Sequence, residues 1–379
     1  MAVSLRTAPR KGQIQNGLII AAVAAAAAAI LPIAIAIIGG VGPAGQARTA
    51  FAGAPAGDYA VVSRTDGGED VISVVAVADP ASPREVARVP HVPGYAANGS
   101  VSPDGRQVAL VVADQGTQSN PVASLLVLDL ESGALTRLSA GVDRLRTAVW
   151  TADSKAVVIT RAAVTAEGRP AVQVVEIATD GSGERELLRV GNVLGVYPVG
   201  FDPQGRLVSV VIDSRGSALV RDGQELGVIS SQITRDWRLS PEGTQLAFVE
   251  SDTAGGLQYR GRVVAVDVPE AAGEMAAQAL SGGGQQLGVA WQPSGGAPTF
   301  GMEPAHGAAS AGGVSAQALE ASPGFDVPIA YSPGGDSLAV THWTGLSFAD
   351  AGRSSLELVS ASGRTDLMGF ARFLGWARR

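Results

Sequence analysis

One short turn recurs along this chain at a spacing that leaves few architectures open. Aligned on an aromatic or apolar lead residue, its copies read Val101-Ser-Pro-Asp-Gly, Trp150-Thr-Ala-Asp-Ser, Phe201-Asp-Pro-Gln-Gly, Leu239-Ser-Pro-Glu-Gly, Trp291-Gln-Pro-Ser-Gly and Tyr331-Ser-Pro-Gly-Gly. The spacings are 49, 51, 38, 52 and 40 residues. In the first copy Pro103 presets φ, Asp104 can bond its own backbone and Gly105 accepts a positive φ. Apolar, β-branched runs follow almost every copy: QVALVV, AVVIT, LVSVVID, QLAFVE and SLAV. Several copies continue into a third run that ends on an acidic turn, such as SLLVLDLESG and AVQVVEIATDG, and into a fourth, such as ALTRLS. Alternation of such runs with turn residues reads as successive hairpins.

A period of 40–50 residues with four strands per unit is the pattern of a β-propeller. A lone four-stranded sheet leaves apolar faces uncovered, and stacking sheets around an axis covers them. A large flat side chain at the lead position suits the wedge between neighbouring sheets. The chain ends set the expected number of blades. Three strands between Asp58 and Val89 lack a turn-bearing partner, while GFARFLGWARR at the C-terminus supplies one, with Trp376 at the lead position. The C-terminal strand is therefore expected to complete the first blade and remove an open edge. Six internal copies and this composite blade predict an all-β, seven-bladed propeller of four-stranded antiparallel blades over residues 58–379, or 46 residues per blade. The Trp150 copy has lost its Pro and Gly. The segment after Trp291 is poor in strands, so that blade is expected to be irregular, with a long surface loop around residues 303–313.

The N-terminus has a different composition. Leu18 to Val41 is 24 residues without a charge, against the roughly 20 that span a bilayer as a helix. This exceeds the usual apolar core of a signal peptide, about 7–15 residues. Pro32 is compatible with a span. Arg6, Arg10 and Lys11 precede the run, which places residues 1–17 in the cytoplasm by the positive-inside rule. The expected organisation is a cytoplasmic tail (1–17), a single-pass signal anchor (18–41), a flexible linker (42–57) and a propeller outside the membrane, periplasmic or extracellular. A signal peptide cut near Ala44-Gly-Gln-Ala47, a prepilin-like leader cut after Gly12 and a buried helix are the alternatives. Acidic residues are absent before residue 48; beyond it 25 basic side chains face 35 acidic ones, a balance of −10. That sign disfavours nucleic acid and anionic lipid as partners. With no cysteine, disulfides, thiolate metal sites and a cysteine nucleophile are excluded.

The stretches SVSPDGRQVALVV, RLSPEGTQLAFVE and AYSPGGDSLAV resemble the TolB-type, WD40-like (PD40) propeller repeats, and the resemblance covers nearly everything after the linker. A propeller behind an N-terminal membrane attachment is also similar, more loosely, to the propeller of LpqB-type lipoproteins, without their lipidated cysteine. The resemblance implies the fold and a habit of binding other proteins; it implies no reaction.

Catalytic signals are sparse. His91, His306 and His342 fall on different expected blades, so they do not form a metal cluster. Glu303 and His306 share a Gly/Ala-rich loop. Neither a G-x-S-x-G elbow, a P-loop nor a dinucleotide fingerprint is present. No catalytic, metal or cofactor residue is assigned. One pattern does point to binding. Four residues before each lead, where the inner strand enters, stand Ala97, Arg146, Tyr197, Arg235, Leu287, Val327 and Arg372. Arg146, Tyr197, Arg235 and Arg372 are therefore candidates to line one channel mouth and hold an anionic group through forked guanidinium contacts. The opposing reading pairs these arginines with Asp143, Asp236 or Asp326. The expected function is a membrane-anchored, monomeric propeller that binds or scaffolds an envelope or membrane protein. The rival readings are a lactonase-type hydrolase, with Asn98, Asp236 and Asp326 near an axial metal, and a sensory ectodomain.

Overall fold

A computed structural model describes residues 51, 53–252, 258–267, 275, 277–279, 285–303, 308–310 and 324–379. The expected tail and anchor, and most of the expected loop at 303–313, lie outside the described residues. Among the described residues no helix is long and apolar enough to cross a membrane.

The described chain is built from strands. It opens with β1 (Asp58–Asp66), β2 (Glu69–Ala76) and β3 (Asp79–Pro90), then β4 (Asn98–Val101), β5 (Gln107–Thr117), β6 (Asn120–Asp129) and β7 (Leu135–Val142). Next come β8 (Val149–Trp150), β9 (Ala156–Val164), β10 (Pro170–Ala178) and β11 (Glu184–Gly191), then β12 (Gly195–Phe201), β13 (Leu207–Asp213), β14 (Gly216–Arg221) and β15 (Gln224–Ser230). They are followed by β16 (Ile233–Leu239), β17 (Gln245–Asp252), β18 (Gln258–Ala265), β19 (Gln278–Ala279), β20 (Gln285–Ala290), β21 (Thr299–Glu303) and β22 (Ala308–Ser310). The last are β23 (Phe325–Tyr331), β24 (Ser337–Trp343), β25 (Ser354–Ser360), β26 (Gly363–Asp366) and β27 (Arg372–Arg378).

Antiparallel pairing sorts them into sheets ordered β27-β1-β2-β3, β12-β13-β14-β15, β16-β17-β18-β19, β20-β21-β22 and β23-β24-β25-β26. An eight-stranded sheet holds β4 to β11. Its halves touch at one residue pair, Val142↔Arg161 between β7 and β9. The fold is an all-β propeller of four-stranded sheets. The sheet that carries the Trp291 turn has three strands among the described residues, two of them after Trp291, in keeping with the strand-poor sequence there.

The cores run between sheets. Val61 and Ile72 pack with Val108 and Leu110, and Leu125 and Val127 pack with Val157 and Ile159. Val158 and Val174 meet Val211 and Val220, and Val210 and Leu219 meet Leu246 and Phe248. Ala247 and Val249 meet Leu287 and Phe300, and Ala290 meets Leu338 and Val340. Finally Ala339 and Leu358 of the last sheet pack on Ala60 and Val75 of the first, which closes the circle. Sheets covered on both faces explain why β5 reads as an unbroken apolar run, buried from Val108 to Ala113, whereas the outer β7 is largely exposed.

The closing strand behaves as expected. β27 pairs with β1 from Asp58↔Arg378 to Ser63↔Arg372, with Trp376 opposite Ala60. The indole N–H of Trp376 donates to the Ala330 carbonyl at 3.2 Å. Trp150 and Trp291 make the same bond to Ser100 and Arg238, each at 2.9 Å. In all three cases the acceptor is the residue before the lead position of the preceding repeat. The wedge is thus a hydrogen bond as well as a packed ring.

The repeated turns carry out the expected chemistry. Asp104 Oδ1 accepts from Ser102 Oγ at 2.6 Å and from the Arg106 backbone N–H at 3.1 Å. Where the Trp150 copy lacks glycine, Ser154 itself takes φ 62°, and Thr151 and Asp153 rebuild the same bonds. Gly105, at φ 72°, lies against the closing strand: a Cβ there would stand 2.7 Å from the Arg378 nitrogen and 3.3 Å from the Ala377 Cα. The turns lie together on one face, where the Asp104 backbone N–H donates to Ser154 Oγ at 3.1 Å and that of Gly334 to Asp58 Oδ2 at 3.2 Å.

The chain enters and leaves on this turn face, where Gly57 and Arg379 exchange backbone bonds of 2.9 and 3.1 Å. Of the stretch read as a linker, Phe51 and Ala54 are buried in the first core cluster, and the Arg379 guanidinium donates to the Phe51 carbonyl.

Candidate functional site

The inner strands surround an axial cavity of about 630 Å³. Its wall includes Ser100, Arg146, Tyr197, Trp237, Arg238 and Phe373. A smaller cavity of about 260 Å³ adjoins it, with Asn98, Thr147, Ile329 and Arg372 in its lining.

A recurring irregularity shapes this wall. The pairing register shifts between Pro198 and Gly200 in β12, between Arg235 and Arg238 in β16, between Leu287 and Ala290 in β20, and between Pro328 and Ala330 in β23. In β27 it skips Leu374. Each is a β-bulge at or beside the residue two before the lead, and a bulge re-aims the side chains around it. Val199, Trp237, Ile329 and Leu374 reach the cavity wall at these points. In β16 the bulge also turns Asp236 into the left-handed region at φ 55°, a conformation that Asp tolerates better than most residues.

The four candidate residues are placed differently from one another. The Arg146 guanidinium carbon lies 3.9 Å from the centroid of the Tyr197 ring, which in turn stands 4.4 Å from the Trp237 ring. These three side chains come from successive units and form a cation–aromatic stack along the wall. Arg146 Nε is also 3.4 Å from Asp143 Oδ2. Arg235 lies outside the cavity wall; its Nε donates to Asp236 Oδ2 at 3.1 Å and its guanidinium carbon is 5.7 Å from the Tyr259 ring centroid. Arg372 lines the smaller cavity and reaches back into its own sheet. It donates to Asp70 Oδ1 at 3.2 Å, Ser63 Oγ at 3.4 Å and Thr65 Oγ1 at 3.0 Å. Arg146 and Tyr197 are therefore brought together, while Arg235 and Arg372 are held by Asp236 and Asp70.

The residues considered for an axial metal diverge. Asn98 Nδ2 donates to the Arg144 carbonyl at 2.9 Å. Asp326 is buried, takes two bonds from Arg364 at 2.9 and 2.6 Å, and is hydrogen-bonded to His342 Nδ1 at 3.0 Å. His91 is buried with its Nε2 3.7 Å from Asp70 Oδ1. Among the described residues no group of three or more His, Cys, Asp or Glu is placed to share a metal ion.

Arg238 escaped the sequence pattern because that pattern takes the residue four before each lead, and Arg238 stands one before Leu239. It lines the axial cavity, and burial pushes its guanidinium pKa below the ordinary arginine value, with the Asp236 charge acting in the opposite direction. The only available sequence signal was its place directly before a lead residue, in the short arginine-rich run TRDWRL.

The mouth face carries the most exposed large apolar side chains of the described residues. Leu145, Leu194, Ile233, Leu346 and Met368 are 63 % to 81 % exposed. The first three and Met368 sit where the chain enters an inner strand, and Leu346 lies in the β24–β25 connection. Antiparallel order puts both kinds of connection on the face opposite the repeated turns.

No protein-family model matches the sequence, and no curated protein matches it. Solved structures similar to this chain include TolB from Acinetobacter baumannii, at 14% identity over 85% of this chain and 67% of that one, with a TM-score of 0.49. The acylaminoacyl peptidase of Pyrococcus horikoshii matches at 11% identity over 82% of this chain, with a TM-score of 0.50; this chain spans about half of it, 52%. The β-propeller domain of the Trilobed protease from Pyrococcus furiosus matches at 10% identity over 83% of this chain and 97% of that one, with a TM-score of 0.46. At such identities the likeness is one of fold.

Proposed function

We propose that this chain is a membrane-anchored binding module of the cell envelope, whose propeller presents its mouth face to a protein partner. The observation that carries this reading is the segregation of surfaces. Leu145, Leu194, Ile233, Leu346 and Met368 stand on the mouth face, whereas residues 57 and 379 meet on the turn face. An anchor at residues 18–41 would then hold the turn face toward the membrane and leave the mouth free, at a raised effective concentration for membrane-bound partners. In this reading the eight-stranded sheet counts as two blades joined at Val142↔Arg161, and the ring has seven. Arg146 and Tyr197 form the polar part of the mouth, with Arg235 and Arg372 behind their carboxylate partners. Exposed apolar side chains around a cationic, aromatic opening match the anatomy of protein interfaces, in which an apolar centre sits beside Arg and Tyr anchors. The rival lactonase-type and sensory readings have no comparable feature among the described residues.

The test is position-dependent cross-linking in intact cells. A photo-activated side chain at Leu194 or Ile233 is expected to trap one discrete partner, and the same side chain at Gln204 on the turn face is expected to trap none. Equal trapping from both faces, or trapping from Gln204 alone, overturns the assignment of the face.

A further inference from the structure

The bulge in β16 brings Asp236, Trp237 and Arg238 in succession to the wall of the axial cavity, and their surroundings differ. Asp236 is the one carboxylate in the wall among the described residues. Its Oδ2 already accepts from Arg235 Nε at 3.1 Å and from the Gly288 backbone N–H at 3.3 Å. Trp237 donates its indole N–H to Thr234 Oγ1 at 2.9 Å and is fixed against Tyr197. Arg238 gives one N–H to the Trp237 carbonyl at 3.1 Å, out of the five donors a guanidinium carries. It makes no ion pair with a carboxylate of the described residues, although the Asp236 charge acts on it through space. The residue is exposed to solvent, yet burial dominates its electrostatics. Both hold for a side chain that touches water inside a cavity while protein surrounds it.

Arg146 is the second cation on the same wall. Its Nε is buried without a hydrogen-bond partner, with Asp143 Oδ2 3.4 Å away as an ion-pair partner. The cavity thus presents two guanidinium groups with unspent donors, and its own carboxylate is engaged. Tyr197, Trp237 and Phe373 add aromatic surface to the same wall. A volume of about 630 Å³ falls in the range of small-molecule sites, roughly 300–1,000 Å³.

We propose that the axial cavity binds a small organic anion, with its carboxylate or phosphate oxygens on Arg238 and Arg146 and its apolar body against Tyr197, Trp237 and Phe373. This site shares Arg146 and Tyr197 with the mouth, but it needs no partner protein and is tested without one.

The experiment uses the full chain and ligand-observed NMR with three probes of one shape: benzoate, phenyl phosphate and the uncharged benzamide. At least one anion is expected to bind about tenfold more tightly than benzamide, the scale of one charge-assisted contact. The anion that binds better identifies the group as carboxylate or phosphate. R238Q is expected to lower anion affinity by about tenfold and to leave benzamide unchanged, while R185Q, on the outer strand β11, behaves as the unaltered chain. Anions that bind no better than benzamide, or an R238Q chain that binds them as before, overturn the proposal. Should R238Q fail to fold, the comparison of anion with amide on the unaltered chain decides alone.

Discussion

Gly105→Ala probes the closed ring through a single methyl group. Gly105 and Gly205 occupy equivalent turn positions with nearly the same φ, 72° and 74°. Around Gly205 a Cβ meets nothing within 4 Å. Gly205→Ala therefore incurs only the left-handed backbone penalty, about 1–2 kcal/mol. Gly105→Ala incurs that penalty and also drives its Cβ to 2.7 Å from the Arg378 nitrogen in the closing strand. Backbone cannot rotate aside as a side chain does, so β27 or the turn must shift. Overpacking of this kind costs about 1–3 kcal/mol more. Urea unfolding of the two variants, followed by tryptophan fluorescence, reads the difference directly as a shift in midpoint at unchanged slope. If the two variants are equally stable, β27 does not pack on the first repeated turn and the reasoning fails.

Other consequences are open to the same measurements. Trp291→Phe keeps a ring in the wedge but leaves the Arg238 carbonyl without its 2.9 Å donor, an expected loss of about 1–3 kcal/mol; Trp291→Ala should cost about 3–5 kcal/mol, and equal losses would deny the hydrogen bond a role. Arg372→Ala removes the guanidinium from the fully buried Asp70 and is expected to destabilise by about 2–4 kcal/mol, whereas Arg235→Ala, from a half-exposed pair, should change stability by less than about 1 kcal/mol; thermal unfolding of both distinguishes them. The double variant L194E/I233E should abolish partner cross-linking without lowering the unfolding temperature, because both side chains are exposed; retained cross-linking would remove the apolar rim from the interface.

Much of the fold was legible because its rules are local. The turn sequences announce hairpins, and strands covered on both faces announce themselves as unbroken apolar runs such as the one in β5. Trp376 at a lead position was enough to pair β27 with β1, since the wedge residue recurs wherever an inner strand does. The cavity wall was harder to read. Its bulges place two residues where the partner strand has one, and Val199, Ile329 and Leu374 are too ordinary in type to advertise such a place. Counting from the lead therefore found Arg146 and Tyr197, which do face one another, and also Arg235 and Arg372, whose donors are taken by Asp236 and Asp70. It passed over Arg238, two residues beyond an Asp that occupies a left-handed conformation usually left to glycine.

The ring itself is tested most directly by a disulfide across its closure. The chain has no cysteine of its own, and Asp58 and Arg378 are register partners with their side chains 3.4 Å apart. Paired residues of this kind have Cα atoms about 4.5–5.5 Å apart, inside the span of a disulfide. Oxidation of the folded D58C/R378C chain should give an intramolecular bond in nearly every molecule, detected by mass and by faster migration of the denatured chain. A chain that stays reduced, or that links only to a second copy, would mean that β1 and β27 do not meet and that the ring is open.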